Sequence, residues 1–258
     1  MRPIRYRYGS ERWQVGDLWL PAAPRVGPAP VVVLLHGGWW RSMYTKGLLN
    51  RLAGAIAGGG FAAWNVEYRR VGLFGGGGGW PNTLIDVAAA VDHLTEIADV
   101  DTARVVLCGH SAGGHLAVWA AARSRLPAGS PGASPAVLPL GAISLAGAVD
   151  LEQAAALGLG NGAVASFMGG LPAIYPERYG SASPLRLLPI GVPQVLVHGL
   201  GDAVVPPAMS ESYAARAAAA GDSALYVPIE QMGHRQVTDP AGAAWPIIAG
   251  HLEALLSS

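Results

Sequence analysis

A short segment near the middle of the chain carries the strongest chemical signal. The pattern Gly-His-Ser-Ala-Gly at 109–113 follows the apolar run Arg104–Cys108 and opens a segment with helical spacing, Gly113–Arg123. A serine at a sharp turn between strand and helix sits in strained backbone geometry, with its hydroxyl held clear of the sheet. The pattern predicts that Ser111 is a nucleophile. The alternative is a glycine-rich turn that happens to contain a serine.

A serine hydroxyl needs a base before it can attack a carbonyl carbon. In chains with this strand–turn–helix serine, the acid and then the histidine follow the nucleophile. That order leaves His198, His234 and His251. His198 ends an apolar strand and is interpreted as structural, while His251 lies inside the pattern of the last helix. His234 follows the last predicted strand, at the carboxyl edge of the sheet, and is the predicted base.

The acid that orients the histidine is expected between the other two residues. Asp202 lies just past the predicted strand Gln194–His198, in a loop at the same edge of the sheet. Asp150 also ends a strand and is the second candidate, although it could equally cap the helix that follows it. Asp202 is therefore the predicted acid.

A third requirement is a set of donors for the oxyanion. The run Val31–Leu35 leads into His-Gly-Gly-Trp-Trp at 36–40. Glycines after a strand let backbone N–H groups turn toward a developing negative charge. We predict an oxyanion hole from the N–H groups of Gly38, Trp39 and Ala112. Taken alone, this segment would be an ordinary glycine-rich turn.

The elements that position these residues alternate along the chain. Apolar runs rich in β-branched residues predict strands at Val31–Leu35, Ala62–Tyr68, Arg104–Cys108, Gly141–Val149, Gln194–His198 and Ala224–Ile229. Helical spacing is found at Tyr44–Ala57, Leu84–Ala98, Gly113–Arg123, Pro207–Ala219 and Ala241–Leu256. Alternation predicts an α/β fold with a doubly wound, mostly parallel sheet of about eight strands flanked by helices. Glu11–Leu20 is expected to add an antiparallel strand at one edge.

The chain of 258 residues is expected to form a single domain, 1–258. Pro127–Pro139 has the composition of a surface loop. Residues 151–188 lie between two predicted strands and form a long insertion, which in an α/β domain is often a lid or a substrate-binding loop.

Composition excludes several function classes. Lys and Arg together number 17, as do Asp and Glu, so charge gives no case for nucleic acid binding. No apolar stretch reaches the ~18 residues that a membrane span needs, and the basic N-terminal segment lacks the apolar block of a secretory signal. The single cysteine, Cys108, excludes an internal disulfide and is expected to be buried and inert. The expected location is the cytoplasm, and the oligomeric state is left open.

Several segments together resemble a known superfamily. They are the motif at 36–40, Glu67-Tyr-Arg-Arg at 67–70, the serine motif, His198-Gly-x-x-Asp202 and Gly233-His234, in that order. The chain resembles the α/β-hydrolase superfamily, in the branch of kynurenine formamidases and hormone-sensitive-lipase-like esterases. Trp40 matches the formamidase type of the first motif. The resemblance covers nearly the whole chain and implies a serine mechanism without metal or cofactor.

Large side chains in loops near the predicted site suggest an aromatic-lined substrate pocket. They are Trp39, Trp40, Tyr68, Trp80, Phe167 and Met168, with Val205 and Met209 on the opposite wall. Core packing is the alternative, and for Trp40 and Tyr68 it is equally plausible. Arg69 and Arg70 are interpreted as structural or solvated.

Four hypotheses follow for the function. The first is a carboxylic ester hydrolase that acts on small acyl esters through an acyl-enzyme. The second is an aryl formamidase with the same triad and an amide substrate. The third, with less support than the first two, is a peptidase. The fourth, from a different class, is a non-catalytic binding protein with a hydrolase fold.

Overall fold

A computed structural model describes residues 2–23 and 26–257. Both ends of the predicted domain, Met1 and Ser258, lie outside the described residues. The strands within this part of the chain are β1 (Ile4–Arg7), β2 (Val15–Trp19), β3 (Ala29–Leu35), β4 (Ala62–Val66), β5 (Val100–His110), β6 (Gly141–Leu145), β7 (Gln194–Gly199) and β8 (Ala224–Ile229). They form one eight-stranded sheet in the order β1-β2-β4-β3-β5-β6-β7-β8. Only the β1–β2 and β2–β4 pairs are antiparallel, which confirms the mostly parallel sheet.

Helices cover both faces of this sheet. They are α1 (Asn50–Gly58), α2 (Asn82–Asp92), α3 (Ala112–Ala121), α4 (Leu151–Ala156), α5 (Leu159–Met168), α6 (Pro176–Ala182), α7 (Pro207–Ala219) and α8 (Ala244–Leu256). Successive residues of β3 point to opposite faces. Val31 and Val33 pack in the same core as α2, α3 and α7, whereas Val32 and Leu34 pack in the same core as α1 and α8. This explains the continuous apolar sequence of the central strands.

Several elements differ from the sequence prediction in position or bounds, and three of these differences lie near the site or the sheet edge. The edge strand is β1 (Ile4–Arg7), which pairs with β2, so the predicted N-terminal strand lies second in the sheet. The strand predicted at Gly141–Val149 ends at Leu145, because Ala146 adopts a positive φ of 50° and the backbone is no longer extended there. The helix predicted from Tyr44 begins as a 3-10 turn, Lys46–Leu49.

The insertion at 151–188 connects β6 to β7 and contains α4, α5 and α6. Within α5 the backbone is left-handed at Gly160, Asn161 and Gly162, so the element is not one regular helix. This left-handed segment accepts a hydrogen bond from Arg41, whose Nη2 lies 2.6 Å from the Gly160 carbonyl oxygen. The insertion therefore contacts the loop that follows β3.

No helix in the described ranges is both long enough and apolar enough to cross a membrane.

Candidate active site

Ser111 occupies the turn between β5 and α3. Its backbone has φ 57° and ψ −120°, a region that residues with a side chain rarely adopt. The Ser111 N–H donates to the Leu145 carbonyl oxygen at 2.9 Å, and the His115 N–H donates to the Ser111 carbonyl oxygen at 3.1 Å. These hydrogen bonds hold the serine in the strained conformation at the carboxyl edge of the central strands.

The two glycines of the serine motif are required by close backbone contacts. A Cβ atom on Gly109 would lie 2.0 Å from the Gly113 carbonyl oxygen, and one on Gly113 would lie 1.9 Å from the Leu35 carbonyl oxygen. Both distances are far inside van der Waals contact. The turn can therefore form only with glycine at these positions, and the second contact sets α3 tightly against β3.

Asp202 and His234 are hydrogen-bonded to each other. The loop after β7 carries Asp202 and the loop after β8 carries His234, and Oδ2 of Asp202 lies 2.7 Å from Nδ1 of His234. The other oxygen of Asp202 accepts the N–H groups of Val204 at 2.7 Å and Val205 at 3.0 Å. Burial opposes the charged carboxylate, but the hydrogen bonds from His198 and His234 outweigh it, so the pKa of Asp202 is well below its ordinary value.

The competing candidates for base and acid lie in different surroundings. Asp150 caps α4, because its Oδ1 accepts the N–H groups of Glu152 at 3.1 Å and Gln153 at 3.0 Å. His251 lies in α8, half-buried. His198 is fully buried and also contacts Asp202, with Nε2 3.0 Å from Oδ2.

His110, the residue before the serine, is a part of this site that the sequence pattern did not predict. Its Nε2 donates to the His234 carbonyl oxygen at 2.8 Å, and the two imidazole rings lie 4.7 Å apart. Burial and the proximity of His234 lower the pKa of His110 to about 3, so this ring is neutral at physiological pH. The hydrogen bond fixes the backbone of the loop that carries His234.

The loop after β3 turns sharply beside the serine. Gly38 has φ 114°, and Trp39 and Trp40 both have φ 54°. A Cβ atom on Gly38 would lie 2.3 Å from the ring of Tyr44. Among the hydrogen bonds of the described residues, none uses the N–H groups of Gly38, Trp39 or Ala112. Backbone donors without a protein partner are unusual and need another acceptor.

A buried polar network supports this loop from below. Nε2 of His36 lies 2.9 Å from Oε1 of Glu67, which also pairs with Arg70 at 3.0 Å. The Tyr68 hydroxyl donates to the His36 carbonyl oxygen at 2.6 Å, and its ring stacks on the His36 imidazole. Arg70 donates to the Tyr44 carbonyl oxygen. Arg69 pairs with Asp86, so both arginines are structural.

A cavity of about 260 Å³ opens beside the serine. Its walls combine catalytic candidates, backbone of the β3 loop and a few larger side chains, namely Gly38, Trp39, Tyr44, Leu48, His110, Ser111, Val204, His234 and Arg235. The structure thus brings Ser111 and His234 to one cavity, with Asp202 behind the histidine.

Most of the residues predicted to line the substrate pocket lie elsewhere. Trp40, Tyr68, Phe167, Met168, Val205 and Met209 are buried in the hydrophobic core and do not line the cavity beside Ser111. Trp40 has a positive φ of 54°, and its ring lies in the core, where it stacks on Phe167 with ring centroids 4.5 Å apart. Trp80 lines a separate cavity of about 630 Å³ with Tyr175 and Arg178.

The sequence did not predict several residues that line the cavity beside Ser111. Tyr44, Leu48, Val204 and Arg235 lie in turns whose side-chain direction depends on backbone geometry, which carries no periodic signal. Of the cavity residues that were not predicted, only His110 had a signal in the sequence, because it is adjacent to the predicted nucleophile. Among residues 2–23 and 26–257, no group of three or more His, Cys, Asp or Glu side chains is arranged to hold a metal ion.

Comparison with known proteins places this geometry in a family. The model of the BD-FAE family matches residues 17–216, which is more than half of the chain and includes Ser111 and Asp202. The chain belongs to the BD-FAE family. This membership confirms the resemblance to the α/β-hydrolase superfamily. The placement in the branch of kynurenine formamidases stays a prediction.

Curated relatives of this BD-FAE member include an esterase. The chain is 27% identical over 254 residues to Esterase LipC of Mycobacterium tuberculosis, covering 89% of this chain and 59% of LipC. A 126-residue match at 30% identity to Non-reducing polyketide synthase Preu6 of Preussia isomera covers 43% of this chain and 6% of that protein. The chain therefore spans less than two thirds of the length of these relatives.

Solved structures share the fold. A truncated carbohydrate esterase from gut microbiota superposes with a TM-score of 0.82 at 18% identity, covering 100% of this chain and 98% of the other. A thermophilic esterase of Thermogutta terrifontis, Est2 with propionate bound, gives 0.77 at 20% identity, covering 99% and 93%. At these identities the likeness establishes the α/β-hydrolase fold.

Proposed function

We propose that this protein is a serine-dependent carboxylic ester hydrolase that acts on small acyl esters through an acyl-enzyme. The observation that carries the proposal is the pairing of Asp202 with His234 at 2.7 Å, beside a cavity that His234 shares with the strained Ser111. The esterase among the curated relatives supports the same reaction class.

Asp202 determines which nitrogen of His234 acts as the base. The carboxylate, kept ionised by its lowered pKa, accepts the hydrogen on Nδ1 and leaves the lone pair on Nε2. Nε2 then takes the hydroxyl proton as the Oγ atom of Ser111 attacks the acyl carbon. The imidazolium that forms is stabilised by the carboxylate, which itself stays unprotonated.

The carbonyl bond electrons move onto oxygen as the tetrahedral intermediate forms. We assign the oxyanion hole to the N–H groups of Gly38, Trp39 and Ala112, none of which has a protein acceptor in the described chain. One preorganised donor of this kind contributes about 3 kcal/mol to lowering the barrier. Collapse of the intermediate breaks the ester C–O bond, and His234 protonates the leaving alkoxide to release the alcohol.

The acyl-enzyme is hydrolysed by the same groups. His234 removes a proton from water, and the hydroxide attacks the acyl carbon to form a second tetrahedral intermediate. Collapse breaks the bond to Ser111, whose oxygen recovers a proton from His234. The carboxylic acid is released and the triad returns to its starting protonation state.

Cavity size supports small acyl groups. A volume of about 260 Å³ is at or below the lower end of ordinary ligand sites, which span about 300–1,000 Å³. We propose that the insertion at 151–188 sets one wall indirectly, because Gly160 packs closely on the indole ring of Trp39. The cytoplasmic location suggested by the sequence stays a prediction.

Hydrolysis of p-nitrophenyl esters with acyl chains of two to eight carbons tests the proposal. We expect turnover that is highest for short chains and that Ser111→Ala abolishes while the folded structure is retained. Cleavage of N-formylkynurenine at a higher kcat/KM than any ester would instead identify a formamidase. Absence of both activities in the folded protein would favour a non-catalytic binding protein.

A further inference from the structure

A second histidine contacts the proposed catalytic acid. Oδ2 of Asp202 lies 2.7 Å from Nδ1 of His234 and 3.0 Å from Nε2 of His198. His198 is fully buried near the end of β7. The proposed reaction does not involve His198, although His198 and the base His234 contact the same oxygen atom of Asp202.

The partners of His198 show which of its ring nitrogens donates to Asp202. Nε2 faces Oδ2 of Asp202 and the Val205 carbonyl oxygen, both at 3.0 Å, and neither atom can donate, so Nε2 carries the hydrogen. Nδ1 lies 2.8 Å from Oγ of Ser210. Ser210 is buried, and its hydroxyl makes no other side-chain hydrogen bond in the described ranges. The contacts with Asp202 and Ser210 therefore hold the His198 ring in one orientation.

The Asp202 carboxylate is fully coordinated as a result. Two backbone N–H groups, from Val204 and Val205, occupy Oδ1, and two imidazole N–H groups occupy Oδ2. A carboxylate has about four acceptor positions, so all of those of Asp202 are used. Ser210, His198, Asp202 and His234 form a continuous chain of hydrogen bonds.

We propose that His198 is a positioning residue for the catalytic acid. Its Nε2–H holds Oδ2 of Asp202 toward His234 and stabilises part of the negative charge on that oxygen. This inference rests on the proposed function, because it concerns how the triad is tuned. It assigns His198 no contact with substrate.

Sharing the oxygen has a definite consequence for pH dependence. The charged or titratable groups that face His234 are Asp202, the neutral ring of His110 at 4.7 Å, and the adjacent Arg235 on the cavity wall. Without His198, the charge on Oδ2 would act on His234 alone and would stabilise its imidazolium form. The acid-side midpoint of the kcat/KM profile would then move to higher pH.

Three variants separate this role from simple packing. His198→Leu removes the donor to Asp202. His198→Gln can present an amide N–H near the position of Nε2. Ser210→Ala breaks the same buried chain on the side away from Asp202, so it is the matched control for lost stability.

The test measures kcat/KM for p-nitrophenyl acetate from pH 5 to pH 9, together with thermal unfolding. His198→Leu should lower kcat by about tenfold and raise the acid-side midpoint by roughly half a pH unit or more. In His198→Gln the acid-side midpoint should return most of the way to the wild-type value. Ser210→Ala should keep the wild-type midpoint despite lower stability.

The proposal is overturned if His198→Leu keeps the wild-type midpoint, or if Ser210→Ala moves it equally. A failure of the proposed function looks different, because the wild-type protein would then show no ester turnover at any pH. Should His198→Leu fail to fold, a wild-type midpoint in the folded His198→Asn variant, whose shorter amide cannot reach Asp202 from the same backbone position, would likewise contradict it.

Discussion

The Nδ1 atom of His234 lies 2.7 Å from Oδ2 of Asp202, although 32 positions separate the two residues in the chain. Parallel strands β7 and β8 make this possible, since both loops leave the same edge of the sheet. The pair is the part of the site that most directly defines a base, because it assigns the hydrogen to one ring nitrogen.

Replacing Asp202 with asparagine should reduce turnover while leaving the fold intact. The amide can present its NH₂ group to Nδ1 and so favour the tautomer in which Nε2 carries the hydrogen. We expect kcat for p-nitrophenyl acetate to fall by about 10³-fold or more. A loss smaller than tenfold in a variant that unfolds cooperatively would show that Asp202 is not the acid.

Gly113→Ala should destabilise the protein strongly. The added methyl group would lie 1.9 Å from the Leu35 carbonyl oxygen, where backbone atoms of β3 and α3 cannot move apart without disrupting the core. We expect a loss of at least about 3 kcal/mol in the free energy of unfolding, measured with urea. Gly250→Ala is the matched control, because a Cβ atom there meets open space on α8, and it should be neutral or slightly stabilising.

The buried histidines should make stability depend on pH. Burial lowers the pKa of His110 to about 3 and that of His115 to about 4, so both stay neutral in the folded state while the unfolded chain takes up protons below about pH 6.5. Their contribution is complete above that pH and is lost as the pH falls. Each histidine should contribute at most about 1.4 kcal/mol per pH unit to the slope of the free energy of unfolding against pH between pH 6 and pH 5.

This slope can be measured by urea unfolding at several pH values. His115→Gln is the more informative variant, because His115 lies outside the cavity beside Ser111 and its Nε2 donates to the Ala182 carbonyl oxygen at 2.9 Å. The variant should be less stable at pH 7 and show a shallower slope. An unchanged slope would mean that His115 titrates normally in the folded protein.

The sequence predicts the proposed catalytic groups more completely than the pocket. Order along the chain and position after strands were enough to place Ser111, Asp202 and His234 at one edge of the sheet. Pocket walls depend on where side chains point from loops, and the left-handed turn at Trp39 and Trp40 sends the second ring into the core. The contact between His198 and Asp202 was not predicted, because it requires the loop after β7 to fold back on its own strand.

Leu48 should limit the length of the acyl group. It lies on the cavity wall and is partly exposed, so shortening it opens the mouth without removing core packing. Leu48→Ala should raise the ratio of kcat/KM for p-nitrophenyl octanoate to that for the acetate by at least about fivefold. Leu138→Ala, an exposed leucine that does not line this cavity, is the control and should leave the ratio unchanged.

Cys108 should be inert toward thiol reagents in the folded protein. It is fully buried in β5, and burial raises the pKa of its thiol to about 12, so little thiolate exists near neutral pH. A colorimetric disulfide reagent should modify no thiol under native conditions and one per chain in guanidinium chloride. Rapid native modification would show that β5 opens on the time scale of the reaction.

Covalent labelling of Ser111 tests the central claim most directly. A fluorophosphonate reacts with an activated serine hydroxyl, so intact mass spectrometry of the folded wild-type protein should show one adduct per chain, located by peptide mapping at Ser111. Ser111→Ala should show none, and Asp202→Asn should react much more slowly. No adduct on the folded wild-type protein, or an equal adduct on Ser111→Ala, would contradict the assignment of Ser111 as the nucleophile.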